Sequence, residues 1–441
     1  MVWLILARTF QGAGGGGISI LVSICISDSF SMRERPVYFG IIGMTWAFAS
    51  AIGPLLGGVL TTKLSWKWCF YINLPPTALS GLIVLFKLHV HTPKTQFREG
   101  IKRIDWVGST LMISGAVLLL LGLQMAGIDH PWKSAIILSF LIIGTMLAML
   151  FFLWEWKFAQ YPLMPLRVLN NRTSVSALGV CCFHSMCLIG GAYFLPLYLQ
   201  GVLGASPLMS GIYLLPFTLS LSISNICTGL AIRRTGKYLL FMCLGALIMT
   251  LGFGLFISLP QRYDWTKLIT FQIVAGIGIG PNFQCPLLAV QASSRQGDHA
   301  TAASTFNFLN NLSASVTIVI STAIFQNSMQ SQQKSLAEKF GSEMADLLTG
   351  QDAAANVEAI GMLPEMEREV AQKALLKAML GMWIMYTCFA GVSIMCSVFA
   401  KGKILAKEHT VTETGIEAEE LKREMEHERR KAKKEAVREK H

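Results

Sequence analysis

Two ionisable side chains lie within long apolar stretches and are the first candidates for chemistry. Arg8 stands in the stretch that opens the chain, with Gln11 three residues further on, and His184 stands in the middle of a later stretch. A guanidinium at the centre of a bilayer costs about 2.5–3.5 kcal/mol on insertion scales, so Arg8 requires a partner or water. An imidazole titrates near neutral pH and can carry a proton. The alternatives are that Arg8 lies shallow and reaches the interface, and that His184 is a hydrogen-bonded core residue.

Uncharged polar side chains are more numerous and lie among aromatic and methionine residues. A few polar groups in an apolar wall suit a large amphipathic organic ligand. The alternative is that the amides join one helix to another, a contact worth about 0.6 kcal/mol on average, and we expect roughly half of them to do so. The residues that we assign to a substrate cavity are Tyr198, Asn225, Asn282, Gln284, Asn307 and Asn311.

Carboxylates are missing from the middle of the apolar stretches. The acids outside the segment 329–375 and the tail 401–441 all fall at the ends of these stretches or between them. Asp105 is expected to cap the first turn of a helix, where a carboxylate is stabilised. The chain contains no HExxH, GxSxG or P-loop pattern, and its cysteines lie mostly inside apolar runs. The sequence therefore predicts a protein that is not an enzyme and that holds no cofactor or metal.

The elements that position these side chains are long apolar segments. Of the 441 residues, 53% are hydrophobic and only 14% are charged, which is the composition of a polytopic membrane protein. About 20 apolar residues in a helix cross a bilayer, and the chain therefore predicts an all-α fold. Its eleven expected spans are 2–27, 37–60, 71–88, 105–127, 134–154, 174–200, 208–231, 238–259, 267–291, 300–327 and 376–400.

Lysine and arginine are distributed unequally between the loops. One alternate set of loops carries 13 of them and the other set carries 5. Because short loops rich in these residues stay in the cytoplasm, the first set, which includes 88–104 and 233–237, is predicted to be cytoplasmic together with the tail 401–441. The acidic stretch 329–375 is predicted to lie outside. The net charge of +11 is interpreted as this orientation signal, and no nucleic acid is expected to bind.

One stretch contains residues that disfavour a soluble helix but are tolerated in a membrane helix. Gly53, Pro54, Gly57 and Gly58 stand within GPLLGG. Neighbouring helices can satisfy the backbone groups that such residues free. Gly53 and Gly57 are four residues apart and share a face, which permits close helix contact, and Pro54 can bend the helix. The pattern predicts a helix that packs closely against a neighbour.

These stretches resemble drug exporters of the major facilitator superfamily. GPLLGG resembles the signature of the family's fifth helix, and Arg8, Gln11, Gly12 and Gly14 match the R-x-x-Q-G-x-G pattern of its fourth helix. The stretch 276–291 resembles part of its C-terminal half. The pattern is similar to fungal toxin and multidrug efflux pumps in the fourteen-helix drug:proton antiporter branch. The first three helices of that branch, and its basic G-x-x-x-D-R-x-G loop, are expected to be missing from this sequence.

The resemblance implies a fold and a domain organisation. It implies the all-α major facilitator fold, with about eleven of the branch's fourteen helices in this sequence. The expected domains are a remnant of the N-terminal helical half at 1–90, two linker helices with cytoplasmic loops at 91–172, the C-terminal half with its outer loop at 173–400, and a charged cytoplasmic tail at 401–441.

The resemblance also implies a function. The resembled proteins export drugs, toxins or secondary metabolites in exchange for protons by alternating access, and the arginine that matches Arg8 lines their central cavity and is tied to proton transfer. The expected partners are a small amphipathic organic substrate, protons and the lipid bilayer. A monomer in the plasma membrane, or in the vacuolar membrane, is the expected working unit. Two alternatives are open: a truncated fragment that does not transport, and a uniporter or importer of small organic solutes.

Overall fold

Helices run through almost every part of the chain that the structure describes. The computed structural model describes residues 2–87, 97–102, 104–126, 130–159, 162–164, 169–294, 298–341 and 363–406, together with Ala345, Leu348, Thr349 and Ile360. The helices in these ranges are α1 (Val2–Ser29), α2 (Arg35–Lys63), α3 (Trp68–Tyr71), α4 (Leu74–Lys87), α5 (Phe97–Lys102), α6 (Trp106–Met125), α7 (Ala135–Lys157), α8 (Arg172–Gly201), α9 (Pro207–Tyr213), α10 (Leu215–Thr235), α11 (Leu239–Phe256), α12 (Trp265–Asn282), α13 (Cys285–Ser293), α14 (His299–Ser331), α15 (Gln333–Phe340) and α16 (Glu365–Phe399).

Each predicted span coincides with one helix or with two consecutive helices. Within the described ranges, 10 segments are long and apolar enough to cross a membrane. The remaining predicted span is α2, a helix of 29 residues that is not among the ten. Helices are favoured because a lipid environment forces backbone groups to be satisfied within the chain. The predicted all-α fold is confirmed.

The stretch 329–375 is more helical than the apolar pattern predicted. α14 continues to Ser331, α15 follows it, and α16 begins at Glu365, well before the predicted span at 376. Glu365 and Glu367 lie in the first turn of α16, where acidic side chains are favoured by the partial positive charge of a helix N-terminus. These polar extensions carry no apolar signal, and a prediction based on hydropathy therefore misses them.

After residue 200, two of the spans are broken at prolines. α9 and α10 meet at Leu214, with Pro216 in the first turn of α10. α12 and α13 are separated by Phe283 and Gln284, with Pro286 in the first turn of α13. Proline fits a first turn because the N–H that it lacks would have no acceptor within the helix. The second break places Gln284 between two helices, where its side chain can reach a third.

Glycines on α12 allow this helix to pack very closely against α10 and α11. A β-carbon at Gly276 would lie 2.6 Å from the carbonyl oxygen of Phe217 on α10. A β-carbon at Gly278, on the opposite face, would overlap the backbone of Met249 on α11. Only glycine fits such positions, because a β-carbon at either one would require backbone atoms of the neighbouring helix to move. α12 is thereby fixed between its two neighbours in the C-terminal group, which we define as α8 to α16.

The N-terminal group, α1 to α4, contacts the C-terminal group mainly along α2. α2 runs antiparallel to α10, and α1 reaches α14. A β-carbon at Gly229 of α10 would lie 2.6 Å from the carbonyl oxygen of Pro36, and one at Gly43 of α2 would overlap the side chain of Asn225. Small residues therefore bring the two groups into close contact.

α6 and α7 form a separate antiparallel pair, and α6 also packs on α14. A β-carbon at Gly115 of α6 would lie 3.2 Å from the carbonyl oxygen of Gly144 on α7. At the end of the pair, the Asp105 carboxylate accepts hydrogen bonds from the backbone N of Gly108 at 2.8 Å and from Trp154 Nε1 at 3.0 Å. The predicted helix cap at Asp105 is therefore confirmed, and it also joins the two helices.

Residues 401–406 follow α16 and cross the ends of several helices; we call them the C-terminal strap. Leu405 is buried, and its backbone N donates to the carbonyl oxygen of Gly236 at 3.1 Å. Lys403 Nζ donates to the carbonyl oxygen of Ala292 at 3.2 Å. Gly236, at φ 73°, ends α10 in the left-handed conformation that glycine adopts without strain. The strap therefore covers the last turn of α10 and the end of α13.

Candidate functional site

Arg8 is exposed on α1 and has neutral partners. Its Nη1 donates to Gln11 Oε1 at 3.1 Å, and its guanidinium carbon lies 4.5 Å from the centre of the Phe70 ring. No carboxylate that the structure describes lies within 4.0 Å of it. Only 6% of the most apolar window of α1 is buried. The partners that Arg8 requires are thus an amide and an aromatic face, and the expected counter-charge is not among the described residues.

His184 lies inside the C-terminal group and links two of its helices. The side chain is buried on α8, and its Nε2 lies 3.1 Å from the carbonyl oxygen of Ile279 on α12. Its ring stands perpendicular to that of Phe283, with 6.5 Å between their centres. Because an Nε2–H that donates to a carbonyl is already satisfied, this geometry favours the alternative in which His184 is a core residue.

Three of the predicted cavity residues join helices instead of facing an opening. The amide of Asn282, oriented so that both of its groups are satisfied, donates to the carbonyl oxygen of Met242 at 3.1 Å and accepts from the backbone N of Ala246 at 3.0 Å. Gln284 Nε2 donates to the carbonyl oxygen of Asn225 at 2.9 Å. The hydroxyl of Tyr198 donates to the carbonyl oxygen of Pro260 at 2.6 Å, and all three side chains are buried.

Asn225 is the predicted cavity residue whose polar atoms are least satisfied. It is fully buried on α10, yet neither its Nδ2 nor its Oδ1 has a hydrogen-bond partner among the described residues. Its side chain lies against Gly43 of α2, and the ring of Phe283 lies close to the same glycine. Burying an amide without hydrogen bonds lowers stability. A ligand that offered a polar atom to Asn225 would form the missing hydrogen bond, so this position on the interface between the two groups favours a polar contact with a ligand.

Asn307 and Asn311 are the predicted cavity residues that are not buried. They lie one turn apart on α14, and Asn307 Nδ2 donates to the carbonyl oxygen of Ala303 at 2.9 Å and contacts Ser23 Oγ of α1 at 3.5 Å. The side chain of Asn311 is exposed. The structure thus divides the predicted cavity residues into buried helix links, the buried and unpaired amide of Asn225, and two amides on the face of α14 that adjoins α1.

Among the described residues, the close contact predicted at Gly53 and Gly57 is not found. A β-carbon at either position would meet no described atom within 4 Å, and one at Gly58 would lie 3.7 Å from Pro207 Cβ. The helix continues through Pro54, whose side chain lies outside the described residues. Close packing of α2 occurs instead at its other end, where Gly43 meets α10. Glycine spacing indicated that α2 has a contact face but not which of its glycines lie on that face.

Sequence reasoning also missed the most extensive polar contact between the two groups. Arg35 is only 4% exposed, and its Nη2 donates to the carbonyl oxygen of Ser27 at 2.6 Å. Its Nη1 donates to Gln291 Oε1 on α13 at 3.0 Å and lies 3.4 Å from Nδ1 of His299 on α14. Arg35 stands just outside a predicted span, where an arginine is ordinary. A second arginine, Arg33, in the same short loop is the signal that could have drawn attention to it.

These observations define a class of protein: a polytopic α-helical membrane protein in which two groups of helices meet along α2–α10 and α1–α14. A family model described as Major Facilitator Superfamily matches residues 1–318. The chain belongs to this superfamily, which confirms the resemblance drawn from the motifs. It is accordingly a multi-pass membrane transporter and not an enzyme.

Curated relatives come from fungi. The MFS-type transporter ppz2 of Metarhizium majus (strain ARSEF 297) is 42% identical over 433 residues, which cover 98% of this chain and 75% of the relative. The efflux pump dotC of Dothistroma septosporum (strain NZE10 / CBS 128990) is 44% identical over 416 residues, which cover 94% of this chain and 71% of the relative. Among solved structures, a bacterial homologue of the human lysosomal transporter Spinster is 15% identical, with a TM-score of 0.41 over 86% of this chain and 91% of that chain.

Proposed function

We propose that the protein exports small amphipathic organic compounds, such as drugs, toxins or secondary metabolites. The observation that carries this proposal is the 44% identity to a protein named as an efflux pump. The geometry supports transport by alternating access, because the two groups of helices meet along an interface that contains the unpaired amide of Asn225. Asn307 and Asn311, on the partly open side of α14, are the proposed polar contacts of the substrate.

Proton antiport is the energy source that the family resemblance implies, and we propose that Arg8 and Gln11 belong to its pathway. Arg8 is the ionisable group that lies within an apolar span without a buried hydrogen-bond network around it. The proposed domain organisation is the one drawn from the sequence: 1–90, 91–172, 173–400 and the tail 401–441. We propose a monomer in the plasma membrane, with the vacuolar membrane as the alternative.

Export is tested in yeast that lacks its own major drug exporters, by measuring retention of a panel of fluorescent amphipathic compounds. Asn311→Leu is expected to lower efflux by about five- to tenfold, the effect of losing one hydrogen bond, and to leave the melting temperature of the purified protein unchanged. Asn282→Leu is the matched control, because it removes the link between α12 and α11 and is expected to lower the melting temperature.

Normal efflux by Asn311→Leu would contradict the assignment of the α14 face to the substrate. If the unchanged chain retains every compound as strongly as cells without it, the proposal of export fails and the non-transporting alternative is supported. Net uptake down a concentration gradient in the same cells would instead support a uniporter or importer on this fold.

The proposed orientation has its own test, in a variant from which the native cysteines have been removed. Ser331→Cys lies at the end of α14 in the acidic stretch and is expected to react with an impermeant thiol reagent on intact cells, because the 13-to-5 distribution of basic residues places that stretch outside. Thr235→Cys, at the end of α10, is the matched control and is expected to react only after the cells are opened. Labelling in the reverse order, or a glycan on Asn171, would contradict this orientation.

A further inference from the structure

Within the described part of the chain, the buried charged contact that joins the two groups of helices lies at one end of their interface. Arg35 donates a hydrogen bond to the backbone carbonyl of Ser27 in the N-terminal group. On the side of the C-terminal group it donates to Gln291 and contacts His299. Gln291 Nε2 also donates to Ser27 Oγ at 2.8 Å, so that the hydrogen bonds form a closed ring. Three of these side chains, those of Ser27, Gln291 and His299, are buried as well. Because a buried charge is stable only when its donors are satisfied, Arg35 stabilises the groups together and disfavours their separation.

Arg33 makes a second contact of a different kind. Its Nε donates to the carbonyl oxygen of Arg233 at 2.8 Å, and its Nη2 donates to that of Arg234 at 2.5 Å. These carbonyls belong to the last turn of α10, where such groups lack helical partners and a cation is favoured. Arg33 therefore caps, from the N-terminal group, a helix that belongs to the C-terminal group.

The surroundings of Arg33 make this second contact easy to break. Arg33 lines a cavity of about 360 Å³ together with Ser31, Glu34, Arg233 and Arg234. Three guanidinium groups therefore share one solvent-accessible space with a single described carboxylate. Like charges repel, and exposed contacts contribute little. The pair of arginines thus combines a strong buried contact with a weak exposed one.

The two arginines also lie at the same end of the interface. α1 touches α14 and α13 through its last turns, where Ser23 meets Asn307 and Ser27 meets Gln291. The side chains of α1 that precede Ser19 are almost all exposed. The groups are therefore closed at the end that carries residues 30–35, which the distribution of basic residues assigns to the cytoplasm.

We propose that Arg33 and Arg35 form a two-point cytoplasmic latch. The latch holds the two groups together in the conformation that is closed to the cytoplasm, and it must release before a substrate can enter from that side. This inference rests on the proposed transport by alternating access, since only a protein that opens on both sides needs to break these contacts. Release of Arg33 frees the end of α10, and release of Arg35 separates α1 and α2 from α13 and α14.

The experiment measures opening directly and requires no substrate. Ser23, which is buried between α1 and α14, is replaced by cysteine in a variant whose only native cysteine is Cys187, which lies in the core of the C-terminal group. The rate at which a polar thiol reagent modifies each cysteine is measured on the purified full chain in lipid nanodiscs. Arg35→Gln is expected to raise the rate at Ser23→Cys by about tenfold or more, because hydrogen bonds to a charged group are lost.

Further variants separate the two contacts. Gln291→Ala removes the acceptor on the C-terminal side without changing Arg35, and we expect an increase comparable to that of Arg35→Gln. Arg35→Lys keeps the charge but loses the planar fork, so an intermediate rate is expected. Arg33→Ala is expected to raise the rate of thiol modification by only about two- to fivefold, because an exposed contact contributes little to stability. Arg262→Ala, which removes an exposed pair with Glu369 inside the C-terminal group, is the matched control and is expected to change nothing.

The outcomes decide between the alternatives. An unchanged rate at Ser23→Cys in both Arg35→Gln and Gln291→Ala, with Cys187 protected, would overturn the latch. If Cys187 becomes reactive in Arg35→Gln, that variant has unfolded, and Gln291→Ala with Arg35→Lys then decides the result. The rate does not depend on export, so a protein that exports nothing can still show the latch, and an exporter whose labelling rates do not change would show that the latch is absent.

Discussion

Gly278→Leu is expected to abolish accumulation of the folded protein, whereas Gly57→Leu is expected to leave it unchanged. The added side chain at Gly278 would meet the backbone of Met249, and no side-chain rotation can relieve that overlap. α11 and α12 can accommodate it only by moving apart, which opens gaps along a close-packed interface. Overpacking lowers the stability of a protein by about 1–3 kcal/mol and occasionally more. Because several turns of α11 and α12 would be displaced here, we expect a loss of stability at the upper end of that range.

The measurement is size-exclusion chromatography of fluorescent fusions in mild detergent, followed by thermal unfolding of any folded fraction. We expect a loss of at least about tenfold in the folded peak for Gly278→Leu, which corresponds to a change of about 1.4 kcal/mol. Gly57→Leu is matched in chemistry, and its β-carbon would meet no atom of the described residues within 4 Å. Normal yield of Gly278→Leu would show that α11 and α12 are further apart than described. Loss of the folded peak in the Gly57→Leu variant would show that α2 has a neighbour at this face.

Efflux driven by an imposed proton gradient is expected to be lost in Arg8→Gln and to be retained in His184→Ala. Arg8 has Gln11 and Phe70 as partners and no described carboxylate within reach. His184 is held by the carbonyl oxygen of Ile279 inside the C-terminal group. Because an ionisable residue within an apolar span is a functional candidate by default, we expect the coupling to depend on Arg8 and not on His184.

The chain is reconstituted in liposomes that are loaded with a fluorescent drug, and an acidic-outside gradient is then imposed. Exchange of labelled for unlabelled drug without a gradient is the control, because it separates an uncoupled transporter from an inactive protein. Gradient-driven efflux that survives Arg8→Gln, or that is lost in His184→Ala, would contradict the prediction. It would show that His184, or an acid at a helix end, carries the coupling.

Features that depend on one segment of the chain could be predicted from the sequence. The span 134–154 and α7 agree closely because a run of apolar residues of that length leaves the backbone no alternative in a bilayer. The cap at Asp105 was predictable for the same reason, since its acceptor and the N–H of Gly108 lie within one turn. Such features require no knowledge of which helices are neighbours.

Features that depend on two or more distant segments could not be predicted. Asn282 and Asn311 occupy similar apolar patterns, yet one faces α11 and the other is exposed, because the rotation of each helix is set by its neighbours. The contact of Arg35 with Gln291 joins residues that are 256 positions apart. The roles of amides and charges in a membrane bundle therefore follow from tertiary packing, which hydropathy does not encode.

The C-terminal strap determines where a reporter domain can be joined to this protein. Ile404 forms an isolated antiparallel bridge with Lys237, and Leu405 is fixed to Gly236, whose α-carbon region also lies against the guanidinium of Arg33. A fusion or truncation made after residue 406 preserves these contacts. One made directly after Phe399 removes Lys403 and Leu405, uncovers the end of α10 and alters the surroundings of Arg33. Fusions made at these two places differ by only seven residues, yet they differ in the surface around Arg33, and measurements of opening should be made on proteins that retain the strap.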